Sequence, residues 1–158
     1  VARICFLARA RLVSMTTLFE RIIAGDIPAR WIGADAQCIA FLTIAPVRPG
    51  HVLVVPREPI DHWIDAPDAL MAHLVSRARL IGAAQLAEFG GLRCGLVIQG
   101  YGVPHLHLHV FPSTGPEDFN ELEGSPASEQ ELDDAAARLR GRLQHAGDIG
   151  EGFVSGAA

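Results

Sequence analysis

His105-Leu106-His107-Leu108-His109-Val110-Phe111 is the stretch on which the fold turns. Imidazole and apolar side chains alternate there with period two, the period of a β-strand and not the 3.6 of a helix. A strand sends successive side chains to opposite faces, so His105, His107 and His109 share one face, with neighbours roughly 6–7 Å apart. Leu106, Leu108 and Val110 take the other face, toward a core. A lone histidine is ordinarily a satisfied core or surface residue; three at strict period two demand a common task. Two chemistries suit them. Two of the imidazoles could chelate Zn²⁺ with a ligand from elsewhere, but all three could not, because positions i and i+4 of a strand lie about 13 Å apart. Alternatively, one imidazole is a nucleophile and its neighbours orient it and hold a charged group.

Outward from this stretch the elements follow in order. Cys94–Gln99 reads as a strand, joined to the histidine strand by Gly100-Tyr101-Gly102-Val103-Pro104. Before it, Leu70, Leu74, Ala78, Ile81 and Leu86 recur at helical steps over Asp68–Phe89, and Gly90-Gly91 stops the helix. His51–Pro56 is a strand rich in β-branched residues, set off by the break Pro46-Val47-Arg48-Pro49-Gly50. Arg30–Ala34 and Gln37–Ile44 form two strands around a turn near Asp35. Leu18, Phe19, Ile22 and Ile23 mark a short helix with Thr17 and Glu20 as its capping box, ended by Gly25 and Pro28. After the histidines, Thr114–Pro126 is polar and turn-rich, and Glu129–His145 is an amphipathic helix capped by Ser128 with Glu131. The order α, β, β, β, α, β, β, α predicts an α+β fold: a five-stranded antiparallel sheet with a long helix, a short N-terminal helix and a C-terminal helix.

The chain has 158 residues, which suits one domain. Residues 1–14 carry three Arg, no acid and too short an apolar run for a signal peptide, and read as a poorly ordered extension. Residues 15–146 make the domain, and 147–158 read as a flexible tail. Hydrophobic residues make up 49% and charged residues 20%, which excludes wholesale disorder. The net charge of −5 argues against a nucleic-acid surface and leaves a small anionic ligand open. No apolar run is long enough to span a bilayer, so no membrane partner is expected. Three scattered cysteines without C-x-x-C fit a reducing cytoplasm and make a Cys-based zinc site improbable. All 13 basic residues are Arg, which excludes lysine chemistry. His62 reads as a loop residue near the rim of the site or simply solvated. His73 and His145 read as structural, and the acidic run Glu117–Asp134 as a solvated surface.

The run His105-Leu-His107-Leu-His109-Val-Phe resembles the His-φ-His-φ-His-φ-φ signature of the histidine triad (HIT) family, φ being apolar. The resemblance extends over three earlier blocks in the same order: Leu18–Pro28, Ile39–Pro46 and Pro49–Pro56. It implies a nucleotide-binding enzyme that cleaves at the α-phosphorus, without a metal or other cofactor. On this likeness His107 would be the nucleophile, forming a transient nucleotidyl-histidine. His109 would contact the α-phosphate, His105 would fix local geometry and tautomer, and His51 would support the triad by hydrogen bonding. Leu18, Phe19, Ile22, Ile27, Phe41, Ile44 and Leu53 match the family's apolar base and ribose pocket. Any one of them alone would be ordinary core.

Three departures matter. Thr43 stands where many relatives carry an Asp for the ribose hydroxyls. The loop Gln99–Pro104 is short and lacks the family's Ser/Thr and Gln, so phosphate would fall to His109, Gln99 and the backbone N–H groups around Gly102 and Val103. Thr17 and Glu20 stand where the zinc-binding subset has C-x-x-C, so no structural zinc is expected. The implied activity is nucleoside phosphoramidase-like. The alternatives are dinucleoside polyphosphate hydrolysis and nucleotide binding without turnover. The resemblance also implies a homodimer, built on Asp68–Phe89 and Cys94–Gln99.

Overall fold

Two strands buried along their whole length, β2 (Cys38–Leu42) and β3 (Val52–Pro56), lie inside an antiparallel sheet of order β1-β2-β3-β5-β4. The others are β1 (Trp31–Ala34), β4 (Arg93–Val97) and β5 (Leu108–Ser113). The structure is a computed structural model and describes residues 16–145 together with Phe153. Both faces of the sheet are covered, which is why β2 and β3 read as continuous apolar runs. Cys38, Ala40, Leu42, Val52, Val54, Leu108 and Val110 form one core with helices α2 (Asp68–Phe89) and α3 (Glu129–His145), through Leu74, Ala78, Ile81, Leu132, Ala136 and Leu139. The intervening Ile39, Phe41, Leu53 and Val55 form a second core with Phe19 and Ile22 of α1 (Leu18–Ile23). Each fully buried aliphatic side chain stabilises the fold by about 1.5–3 kcal/mol. The smaller second core is the one that carries the histidines.

Both expected capping boxes are present. Thr17 Oγ1 accepts from Glu20 N–H and the Glu20 carboxylate accepts from Thr17 N–H. Ser128 and Glu131 do the same for α3. The helices α2 and α3 span the residues their periodicity predicts, whereas strand ends differ by one to two residues. The largest difference is at the histidines. The strand expected from His105 begins at Leu108; His105 lies in a bend, with its N–H on Val103 O at 2.8 Å, and Leu106 and His107 precede the strand without regular structure. The pairing Val54↔Leu108 would next set Leu106 against Pro56. Pro56 has no N–H to give to the ladder. Its carbonyl accepts from His105 Nε2 instead, at 2.9 Å, and Leu106 N–H goes to Ile60 O at 2.7 Å.

Two expectations about the surface need correction. Within Glu117–Asp134, Asp118 is buried and paired with Arg48, and Glu129 and Asp133 hold Arg30. In the expected tail, the Phe153 ring is buried against Gly33, where a Cβ would collide with it, and lies 5.3 Å from the Arg77 guanidinium. The expectations for residues 1–14 and for the rest of the tail lie outside the described residues. No described helix is long and apolar enough to cross a membrane.

Candidate active site

Odd-numbered positions of β3 and β5 face α1. That parity sets His109 opposite Leu53 and brings the His51 ring, one step before β3, to 5.2 Å from the ring of His109. The rings of His107 and His109 lie 4.9 Å apart, and Phe19 meets both His107 and His105 edge-on, at 5.0 and 5.8 Å. The structure thus gathers all four expected histidines. They are nearly inaccessible: His51 and His105 are 0% exposed, and His107 and His109 are 6%.

The hydrogen bonds fix each tautomer, because a backbone N–H only donates and a carbonyl only accepts. Val47 N–H donates to His51 Nδ1 at 3.3 Å, so the proton of His51 sits on Nε2. That Nε2–H donates to His109 Nδ1 at 3.1 Å, which leaves the proton of His109 on its own Nε2. This nitrogen is buried and has no hydrogen-bond partner. His107 donates Nδ1–H to the carbonyl of His105 at 2.7 Å, so its Nε2 carries the lone pair. His105 donates Nε2–H to Pro56 O and accepts the Thr17 hydroxyl on Nδ1 at 3.0 Å. The result is one bare nitrogen beside one unpaired N–H donor. An orphaned buried donor costs about 1–3 kcal/mol and marks a place where a ligand acceptor is welcome.

Burial favours the neutral form of His51, His107 and His109. Desolvation, reinforced by His109, pushes the His51 pKa down to about 3. Desolvation, reinforced by His107, takes His109 to about 4. Desolvation also lowers His107, against the opposing hydrogen bond to the His105 carbonyl. A neutral imidazole with a free Nε2 is the nucleophilic form.

Beside the histidines lies a cavity of about 190 Å³. Leu18, Phe19, Ile22, Ile27, Phe41, Thr43, Ile44 and Leu53 all line it, together with Arg30 and three further residues. Thr43 is its one hydroxyl, and Ala45 N–H donates to that oxygen at 3.4 Å. Leu18 and Ile44 are exposed at the rim. Val103 packs against the same core. Gln99 and Gly102 are exposed, and no hydrogen bond joins Gln99 to a histidine of the triad. Gly102 lies outside the left-handed region and a Cβ there would meet open space, so the loop has room for a side chain. His62 is exposed and caps a short 3₁₀ turn; it is not among the residues lining the cavity. Arg30, Thr17 and the Val47 N–H belong to the site and escaped the sequence reading. Only Thr17, three residues before Glu20, carries a sequence signal, that of a helix cap, and its hydroxyl serves both the cap and His105.

The residues at the position of the family's zinc site do not fit the metal. Thr17 offers a hydroxyl already shared with His105 and Glu20 N–H, and both ring nitrogens of His105 are engaged. Asp35, Cys38 and His73 also bring ligand-type atoms within 4.8 Å of one another on the other side of the sheet. There Asp35 accepts from Gln37 N–H, Cys38 N–H, His73 and Arg77, and burial pushes the Cys38 thiol up to about 12. The cluster is a structural tie between the β1–β2 turn and α2.

The HIT domain model matches residues 24–115. An uncharacterized HIT-like protein of Synechococcus elongatus is 36% identical over 104 residues, 62% of this chain and 90% of that protein. The crystal structure of a Zn-bound histidine triad family protein from Mycobacterium smegmatis superposes with a TM-score of 0.72 at 26% identity, covering 85% of this chain and 97% of that one. A HIT family hydrolase from Legionella pneumophila gives 0.52 at 32% identity, over 60% of this chain and 89% of that one. With the HIT domain model covering more than half of the sequence, this chain belongs to the histidine triad family.

Proposed function

We propose that this protein is a nucleotide hydrolase or transferase acting at the α-phosphorus of nucleoside 5′-phosphate derivatives, with nucleoside phosphoramidates as its substrates. The observation that carries the reading is the pairing of the bare Nε2 of His107 with the unpaired Nε2–H of His109, beside an apolar cavity bordered by Phe19 and Leu53. The base and sugar enter that cavity, and the α-phosphate lies over the two rings. The lone pair of His107 Nε2 attacks phosphorus and forms a P–N bond. The P–N bond to the leaving amine breaks, and the amine takes its electron pair and a proton from water. The Nδ1–H bond to the His105 carbonyl steadies the positive charge that develops on His107, and His109 Nε2–H donates to a phosphoryl oxygen. Water then attacks phosphorus, the bond to His107 breaks, a proton is released and Nε2 recovers its lone pair. Catalysis of this type rests on positioning and charge stabilisation.

The working form is proposed to be a homodimer. β4 is a sheet edge, and Leu92, Leu96 and Phe119 stand exposed along and beside it. Steady-state turnover of adenosine 5′-phosphoramidate against a diadenosine polyphosphate tests the reading. Preferential hydrolysis of the phosphoramidate is expected. Preference for the polyphosphate would move the protein to the alternative hydrolase class, and binding of AMP without turnover of either would remove the enzymatic assignment.

A further inference from the structure

We infer that Arg48 and Asp118 are positioning residues: their ion pair holds the loop that sets the tautomers of His51 and His109. Asp118 is 7% exposed although it lies in a surface 3₁₀ turn, Pro116–Phe119. One carboxylate oxygen accepts from Arg48 Nε at 2.8 Å and the other accepts from Thr114 N–H at 2.8 Å. Arg48 Nη2 also donates to the Thr114 hydroxyl at 2.7 Å. Thr114 follows directly on β5, the strand that carries His109. The three side chains therefore fasten the end of that strand to the loop Pro46–Gly50. That loop makes the critical contact: Arg48 O accepts His51 N–H at 3.1 Å, and Val47 N–H donates to His51 Nδ1.

The Val47 donor decides a chain of protons. With Val47 N–H in place, His51 must carry its proton on Nε2, and His109 then presents Nε2–H. If the loop withdraws, His51 is free to carry its proton on Nδ1 and to accept on Nε2. His109 then donates through Nδ1 and turns a bare lone pair toward the phosphate. A hydrogen-bond donor becomes an acceptor facing an anion, so the loop acts through His51 and His109 without touching substrate. This inference rests on the proposed chemistry for its kinetic arm only; the tautomer arm is independent of any substrate.

The test is made on the full chain. Histidine ¹⁵N spectra report the tautomers of His51 and His109, and turnover of adenosine 5′-phosphoramidate reports the reaction. In Asp118→Asn one carboxylate oxygen is replaced by an NH₂ group, and the donors that face it lose their acceptor. The expected result is a redistribution between Nδ1-H and Nε2-H signals at both rings, with kcat lowered about tenfold or more and KM changed less than threefold. Arg48→Gln, at a half-exposed position, should do the same if Asp118→Asn does not fold, and Arg48→Lys should recover part of the loss. Arg138→Gln, which removes the ion pair with Glu88 from α3, should change neither readout. Unaltered ¹⁵N signals in the folded variants overturn the inference, whether or not kcat falls. A wild type that turns over no nucleotide, with tautomers that still shift in the variants, overturns the proposed function and leaves the positioning role standing.

Discussion

Around the Nε2 of His107, the imidazoles of His51, His107 and His109 lose proton affinity mainly through removal from water, and neighbouring histidines add to it. Their folded pKa values lie below the ordinary 6.5, at about 3 for His51 and about 4 for His109. The unfolded chain therefore binds more protons than the folded one below pH 6.5. The stability gained by burying neutral rings is fully present above pH 6.5 and is lost progressively as pH falls toward 4. Urea midpoints measured from pH 7 to pH 4.5 should fall with acidification; a flat midpoint would contradict the neutral cluster. The triad itself was legible, because period two on a strand is a side-chain pattern. The proton relay was not. Its first donor is the backbone of Val47, and a backbone N–H has no residue identity to read. The pair Arg48–Asp118 was equally hidden, since 70 positions separate its members and Asp118 sits among acids that look solvated.

Among the elements, helices were read to the residue and strands only approximately. The repeat along α2 is long, and Gly90-Gly91 ends it, whereas strand ends depend on partners elsewhere in the chain. Pro56 is the clearest case, since it ends the β3–β5 ladder at Leu108 and leaves His105 and His107 outside the strand that holds His109. The turn into β3 carries a second constraint. Gly50 has φ +83, and a Cβ there would strike the ring of Phe89. Its carbonyl also accepts from the buried amide of Gln85 at 2.7 Å. Gly50→Ala should destabilise the protein by about 1–3 kcal/mol from the backbone conformation alone, with the collision adding to it. Because His51 is the next residue, kcat should fall as well. Denaturant melts and kinetics check both, and an unchanged midpoint would show that the turn relaxes freely.

At the scale of the molecule, two cores of unequal size share one sheet. α2 and α3 cover one face and supply most of the apolar contact; α1 covers the other and leaves the cavity of about 190 Å³. β2 and β3 are apolar throughout, so of the inner strands only the alternation of His and apolar residues leading into β5 marked the two faces in the sequence. Assigning Phe153 to the larger core was not possible from sequence, because an isolated aromatic residue in a Gly-rich tail has no periodicity to place it. The exposed β4 edge underlies the proposed homodimer, which would bury Leu92 and Leu96 in an isologous contact. Sedimentation should give twice the monomer mass at micromolar concentration, and Leu96→Arg should return the monomer. A monomeric wild type would contradict this assembly. The central claim is that phosphorus is transferred to the Nε2 of His107. Rapid quench of the protein and adenosine 5′-phosphoramidate in alkaline denaturant, which spares the acid-labile P–N bond, followed by peptide mass spectrometry, tests it most directly. The account predicts an adenylyl group on His107, and no adduct and a rate lower by about 10⁴-fold or more in His107→Ala. An adduct on another residue, or near-normal turnover by His107→Ala, would contradict it.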